Sequence, residues 1–100
     1  MALPISHSAA RLWRVPLEAD LHHRAWDGEH VFFHGAAGDT HRFSEAATLV
    51  LLRLMTMPSD ESSLAALLAD AAEVDQAAAQ TALADILGEL ARLEFAEPAA

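Results

Sequence analysis

The fold is decided by the stretch EHVFFHGAAGDTHRFS, residues 29–44, where two extended segments flank a turn and lead into a helix. Glu29–His34 is rich in β-branched and aromatic residues, which favour strands. Gly35–Gly38 forms the turn, because a glycine at each end can take a positive φ. We therefore predict that Glu29–His34 pairs antiparallel with Asp39–Phe43.

Two signals upstream of this hairpin predict further strands. Asp27-Gly28 lies between Trp26 and Glu29 and is a two-residue hairpin signal, so a strand should also precede Glu29. Leu12–Val15 alternates apolar and polar residues, which is typical of a short strand. The first half of the chain is therefore predicted to be a small antiparallel meander.

The composition changes at Ser44, and three helical patterns follow. Ser44, Ser59 and Asp75 can each cap a helix, and the third helix should run to about Glu94. Pro58 should end the first helix. Apolar residues recur at helical spacing in each segment, at Ala47, Val50, Leu51 and Leu54, then Leu64, Leu67, Leu68 and Ala71, then Leu83, Ile86, Leu87, Leu90 and Leu93.

Strands followed by helices indicate an α+β fold, with three α-helices packed on a small antiparallel β-sheet of three to four strands. This outline is winged-helix-like. A chain of 100 residues supplies one hydrophobic core, so we expect a single domain spanning residues 1–100. We also expect residues 1–11 and 96–100 to be frayed.

The residue types that are missing exclude several kinds of chemistry. The chain has no cysteine and no lysine. This excludes disulfides, thiolate metal sites, a cysteine nucleophile and a phosphate-binding loop that depends on lysine. No nucleophile with an adjacent base stands out, so we expect no enzymatic activity and no cofactor.

The net charge of −9 is unevenly distributed. Residues 1–43 carry four arginines, five carboxylates and all six histidines, whereas the segment from Ser44 onward carries −8. Such an acidic chain should not bind nucleic acid. The sequence lacks an apolar run of about 20 residues and a secretory signal at its start, so we expect a cytoplasmic protein that does not enter the membrane.

The histidines offer one alternative. The predicted hairpin places His34 opposite Asp39 and Phe32 opposite His41, so that His30, His34 and His41 could share a face. Three imidazoles and a carboxylate would suit zinc. Without a metal, these histidines would simply be polar residues on a half-solvated sheet face.

The last strand of the meander offers another possibility. Asp39–Phe43 has no further strand next to it in the sequence, so an extended peptide could pair with its outer edge. Alternatively, the edge is protected by Arg42, by its shortness or by the last helix. The residues alone leave these two interpretations open.

The sequence resembles the PqqD-like peptide chaperones, and most closely the branch that accompanies HPr-kinase-related proteins. The resemblance extends from about Trp13 to Phe95 and is most specific at Gly38–His41. The matching segments are Trp13–Val15, Trp26–Val31, Gly38–His41, Ala46-Ala47, Leu51–Leu54 and Leu64–Leu68. Such proteins are similar to RiPP recognition elements, which hold the leader of a ribosomally made precursor peptide and present it to modifying enzymes in natural product biosynthesis.

The resemblance implies a non-catalytic chaperone that binds a leader peptide by strand addition. Its partners would be the precursor peptide and a peptide-modifying enzyme, which the resemblance implies is HPr-kinase-related. The implied peptide-binding residues are Asp39, Thr40, His41, Arg42 and Phe43 on the strand and Ala79, Leu83 and Ile86 on the third helix. Two alternatives are a regulatory subunit of a kinase-like modifying enzyme that does not bind the peptide, and a small histidine-based metal-binding protein.

Overall fold

The computed structural model describes residues 11–99 and has an α+β fold with six short strands and three helices in those residues. The strands are β1 (Leu12–Arg14), β2 (Leu21–Trp26), β3 (Glu29–His34), β4 (Asp39–His41), β5 (Ser59–Asp60) and β6 (Glu97–Pro98). The helices are α1 (Glu45–Thr56), α2 (Glu61–Ala72) and α3 (Gln76–Arg92). Within the described residues, no helix is both long enough and apolar enough to cross a bilayer.

The strands form two separate antiparallel sheets. The larger sheet has the order β2-β3-β4 and contains both predicted hairpins, while β1 lies between β5 and β6 in the smaller one. The register of the larger sheet places His34 opposite Asp39 and Phe32 opposite His41, as predicted. The strand predicted over Asp39–Phe43 already ends at His41.

Local backbone geometry explains the β2-β3 hairpin. Asp27 and Gly28 have φ angles of 52° and 76°, the pair of positive values that a tight two-residue turn requires. At the other end of the pair, Gly35 donates its N–H to the Asp20 carbonyl at 3.0 Å. A Cβ at Gly35 would lie 2.9 Å from that same oxygen, so only glycine allows this approach.

The three helices begin at caps, one of which differs from the prediction. Ser44 and Asp75 cap α1 and α3 as expected, each accepting a backbone N–H in the first turn. Ser59 was the wrong choice for α2, because it pairs with Trp13 in the smaller sheet and the cap is Asp60. The hydrogen bond from the Ser63 N–H lowers the pKa of Asp60, since it favours the carboxylate.

The core lies between the helices and both sheets. Its largest fully buried side chains are Phe32 of β3, Phe95 after α3, and the aliphatic residues Val50, Leu51, Leu64 and Leu90. The predicted α1 stripe is buried throughout, and four of the five predicted α3 residues are buried. In α2, Leu64 and Leu68 are buried, whereas Ala71 is exposed. Helical periodicity therefore predicted most of the core.

The expectation that residues 96–100 are frayed was wrong for the part of them that the structure describes. Ala96 is buried, Glu97 and Pro98 pair with β1, and the Ala99 N–H donates to the Leu12 carbonyl at 2.8 Å. Proline obscured this strand in the sequence, because it cannot donate to a ladder, but it is tolerated in so short a pairing. Residues 1–10, which were also expected to be frayed, lie outside the described residues.

We predict that a chain ending at Ala96 is less stable than the full chain. Removing β6 breaks the backbone pairing with β1 and the 2.8 Å ion pair between Arg14 and Glu97. A loss of about 1–2 kcal/mol lowers the melting temperature of a domain of this size by about 5–10 °C. A chain ending at Ala99 keeps β6 and is the control. Equal melting temperatures of the two truncated chains would show that β6 contributes nothing.

Candidate functional site: the open edge of β4

β4 forms one edge of the larger sheet. It pairs with β3 on one side, and among residues 11–99 no strand pairs with its other side. An unpaired strand edge carries backbone N–H and C=O groups that can accept another strand. The site is therefore made of backbone groups, and which of them point outward decides what it can bind.

The β2-β3 hairpin determines the direction of every hydrogen bond in β3. In a two-residue hairpin, the residues that flank the turn, Trp26 and Glu29, form a hydrogen-bonded pair. Hydrogen-bonded pairs then recur at every second residue of β3, and the bond from Gly35 to Asp20 fits that series. The odd-numbered residues of β3 therefore bond to β2, and the even-numbered ones bond to β4.

This alternation fixes the orientation of β4. Phe32 is even-numbered and lies opposite His41, so the backbone of His41 bonds to β3. Thr40 has the opposite orientation, so its N–H and C=O groups face the open edge. The same alternation, continued one residue past the end of β4, turns the backbone groups of Arg42 outward as well. The sequence left two possible orientations for this strand, and the register selects the one that exposes Thr40 and Arg42.

An aromatic cluster lies beneath β4 and joins it to the end of α3. The rings of His41 and Phe43 stack with their centroids 5.8 Å apart, and both meet Phe95 edge-on, at 5.3 Å and 5.2 Å. Aromatic pairs in such geometries stabilise beyond their buried area. Phe95 is fully buried, so β4 rests on a rigid support. Sequence reasoning did not assign Phe95 to the site, although it directly follows the α3 stripe.

His34 also links the β3-β4 hairpin to the segment that follows α3. It is 3% exposed, its Nδ1 accepts the Ala37 N–H at 3.1 Å, and its Nε2 lies 2.9 Å from the Glu94 carbonyl oxygen. Nδ1 is the acceptor, so the proton sits on Nε2 and is donated to Glu94. Both ring nitrogens are therefore occupied by hydrogen bonds: the Nε2 bond holds β3 to the end of α3, and the Nδ1 bond holds the turn between β3 and β4.

The zinc alternative gains no support from this geometry. Of the three predicted ligands, His34 is bonded to backbone groups, His41 packs on Phe95, and His30 Nδ1 lies 2.8 Å from His23 Nε2. In the described part of the chain, no group of three or more histidine, cysteine or acidic side chains is arranged to hold a metal. The sheet brings the histidines to one face but directs them to different partners.

The three α3 residues implied by the resemblance lie in the core. Ala79, Leu83 and Ile86 are 1%, 3% and 8% exposed, respectively. Leu83 borders a cavity of about 550 Å³ next to Trp13 of β1. The contact that the structure shows between the end of α3 and β4 is made by Phe95. The role of these three residues in peptide binding stays a prediction.

The side of α3 opposite Ala91 is a candidate for the surface that would face a peptide bound to β4. Ala91 lines a cavity of about 240 Å³ together with Pro16 and Ala19, which precede β2. With 100° between successive helix residues, Leu93 and Ile86 lie on the opposite flank from Ala91. This side of α3 is therefore not the one that borders the segment before β2.

A third cavity, of about 480 Å³, lies where β4 ends. It is bordered by the tip of the β2-β3 hairpin, by Arg42 and Phe43, and by Thr48 and Leu52 of α1. Arg42 Nη1 lies 2.9 Å from Glu29 Oε1 in a largely exposed ion pair beside this cavity. A chain that follows the β4 edge therefore reaches a concave space with both apolar and charged walls.

Comparisons with known proteins give one structural match. No family model and no curated protein matches the sequence. A solved structure described as lasso peptide synthetase B1 complexed with the leader peptide superimposes with a TM-score of 0.68 at 22% identity, over 86% of this chain and 98% of that chain. The two chains share a fold. In that structure, the same fold is seen together with a leader peptide.

The paired histidines of the sheet predict that stability depends on pH. Burial lowers the pKa of His23, and the neighbouring His30 lowers it further. The folded state therefore disfavours protonated His23, so its contribution to stability is complete above the ordinary value of 6.5 and is lost as the pH falls through the folded pKa. We expect the free energy of unfolding to fall on acidification below about pH 6.5.

The matched variant is His23→Gln, which retains a polar side chain but does not titrate. We expect a weaker pH dependence of its free energy of unfolding between about pH 6.5 and pH 5 than in the wild type. Urea titrations at several pH values measure this slope for both proteins. Identical slopes would show that the histidine pair does not couple to folding.

Proposed function

We propose that this chain binds the leader segment of a ribosomally synthesised precursor peptide as an additional strand on β4 and presents it to a modifying enzyme. The observation that carries the proposal is the open β4 edge, with the Thr40 and Arg42 backbone groups facing outward. The shared fold with a synthetase subunit solved with a leader peptide supports it. The sequence resemblance to PqqD-like chaperones supports it as well.

We also propose a more specific family branch, compartment and enzyme partner for this chain. The chain acts as a PqqD-like, non-catalytic chaperone in the cytoplasm, and its enzyme partner is HPr-kinase-related. The quoted segments, from Trp13–Val15 to Leu64–Leu68, support this assignment through their resemblance to that branch.

In strand addition, backbone groups supply affinity and side chains supply specificity. The outward N–H and C=O groups of Thr40 and Arg42 pair with the leader backbone, and this pairing supplies affinity without regard to sequence. Alternate leader side chains then point toward α3, where Ile86 and Leu93 provide an apolar wall. Leader residues beyond Arg42 enter the cavity next to Phe43 and α1. Specificity therefore comes from these two places.

The aromatic cluster keeps the edge ready for binding. The exposed edge of so short a strand would move freely if its other side were not held. Because His41 and Phe43 pack on buried Phe95, the backbone of β4 is already in a pairing geometry before the leader arrives. A pre-ordered site reduces the entropy lost on binding.

Proline substitutions test strand addition directly. Thr40→Pro and Arg42→Pro each remove an outward N–H, so we expect both variants to stay folded and to bind the leader at least about tenfold more weakly. His41→Pro removes an N–H that bonds to Phe32, so it should lower the melting temperature instead. The measurement is NMR titration of labelled protein with synthetic candidate leader peptides.

The side-chain controls are Thr40→Ala and Arg42→Ala, which keep the backbone donors. Both should bind the leader more tightly than the corresponding proline variants. If folded Thr40→Pro and Arg42→Pro proteins bind the leader normally, strand addition on β4 is wrong. If the wild type binds the modifying enzyme but never the leader, the chain is instead a regulatory subunit of that enzyme.

The ion pair beside the edge predicts how charge affects the rate of association. Glu29 compensates Arg42 at 2.9 Å, so Glu29→Gln should expose the arginine and speed the association of an acidic leader, whereas Arg42→Glu should slow it. Changes of about two- to fivefold at low salt are expected. Stopped-flow mixing at about 0.05 M and about 0.5 M salt measures them, because exposed charges are screened at the higher concentration. Association rates that change neither with the two substitutions nor with the salt concentration would exclude electrostatic attraction at this edge.

A further inference from the structure

The sheet β2-β3-β4 has a second face that the proposed function does not use. Its inner face contains Phe32, which is fully buried. Side chains alternate along a strand, so the residues next to Phe32 point the other way. The register groups five of these outward residues into one surface, here called the outer patch: Arg24, Trp26, Val31, Phe33 and Arg42. The polar residues His22, Glu29 and Thr40 lie on the same face of the sheet and border the patch.

The outer patch is apolar where a solvated sheet face is usually polar. Trp26 is 52% exposed and Phe33 is 42% exposed, and Val31 lies between them on the same strand pair. An antiparallel sheet with one buried face normally carries polar residues on the other. Trp26 and Phe33 lie at opposite ends of the patch, and exposed aromatic residues accompanied by arginines are typical of protein interface centres.

The charges on the patch specify what kind of surface fits it. Arg24 forms no ion pair with any described residue, whereas the charge of Arg42 is partly compensated by its ion pair with Glu29. Elsewhere the surface is acidic, since the chain from Ser44 onward carries −8. A partner with carboxylates around an apolar centre is therefore repelled by the helical half and attracted by the patch.

A second copy of this chain fits the patch poorly. Two patches packed face to face would bring Arg24 and Arg42 close to the same residues of the other copy, which costs free energy. A patch packed on the acidic helices of another copy would make a head-to-tail contact, which gives a closed ring only for particular rotations between copies and otherwise an open filament. Nucleic acid is disfavoured by the net charge of −9.

The position of the patch points to one partner. The strand that carries the outward backbone of Thr40 and Arg42 also borders the patch, because Thr40 lies opposite Phe33. A protein docked on the patch would therefore lie directly beside a leader bound to β4. We propose that the outer patch docks the peptide-modifying enzyme through an acidic surface with an apolar centre, an inference that rests on the proposed function.

Patch variants separate enzyme docking from leader binding. The probe is a purified candidate peptide-modifying enzyme, immobilised for equilibrium binding measurements. Trp26→Ser and Phe33→Ser should each raise the Kd for the enzyme at least about tenfold, and Arg24→Glu should do so at low salt and less at high salt. The affinity for the leader should change by less than about twofold.

The matched controls are Met57→Ser and Leu17→Ser, which remove apolar side chains that are 53% and 84% exposed elsewhere on the surface. Both should bind the enzyme like the wild type. Melting temperatures confirm that every variant is folded. Patch variants that bind the enzyme as well as the controls do would overturn the proposal.

Other outcomes would also overturn it. If the wild type binds the leader but not the enzyme, the docking site is wrong and the proposed function stands. If Trp26→Ser loses the leader as well, the patch is part of the leader site. Sedimentation of a wild-type dimer that Trp26→Ser dissociates would assign the patch to a second copy, and loss of oligonucleotide binding in that variant would assign it to nucleic acid. If the wild type binds the enzyme through the patch but never binds the leader, the proposed function is wrong.

Discussion

The packing of Phe95 against the underside of β4 is the contact on which the rest of the structure depends. This ring lies after the last turn of α3 and meets His41 and Phe43 edge-on. Next to it, His34 binds the Glu94 carbonyl oxygen, so that side chain and backbone hold the same corner. The end of the helical half is thereby fixed to the hairpin half, and a three-residue strand acquires a defined position.

An open strand edge is ordinarily a hazard, because it can pair with any extended chain. Here the edge is short, and an ion pair between Arg42 and Glu29 stands at its end. These features limit the edge to a partner that is extended over only a few residues. A flexible leader meets that requirement more readily than the edge of another folded sheet. The same shortness that limits aggregation therefore suits peptide binding.

The two faces of the larger sheet differ. The inner face packs Phe32 and His34 in the core, and the outer face leaves Trp26 and Phe33 exposed to solvent. The His23 and His30 rings lie stacked with centroids 5.0 Å apart, and burial together with the neighbouring His30 lowers the pKa of His23. Folding, peptide pairing and enzyme docking would thus converge on three strands.

The sequence by itself determined the local elements. Glycines at positions 28 and 38 require turns, Ser44 and Asp75 require helix starts, and the apolar period predicts which faces of α1 and α3 are buried. These signals act within a few residues, so they can be read without the fold. The register of β3 and β4 also followed from the length of their turn.

Only the tertiary structure decided how the distant segments meet. Ser59 and Pro98 carry no strand signal, yet both pair with β1, because that strand has two free edges and their chain segments pass beside it. The site depends on the same kind of long-range contact: Phe95 is more than 50 residues from His41, and no local pattern links them. Which backbone groups of β4 face outward was decided by the hairpin on the far side of β3. Sequence reasoning could name the strand, but its open side follows from a chain of hydrogen bonds across the whole sheet.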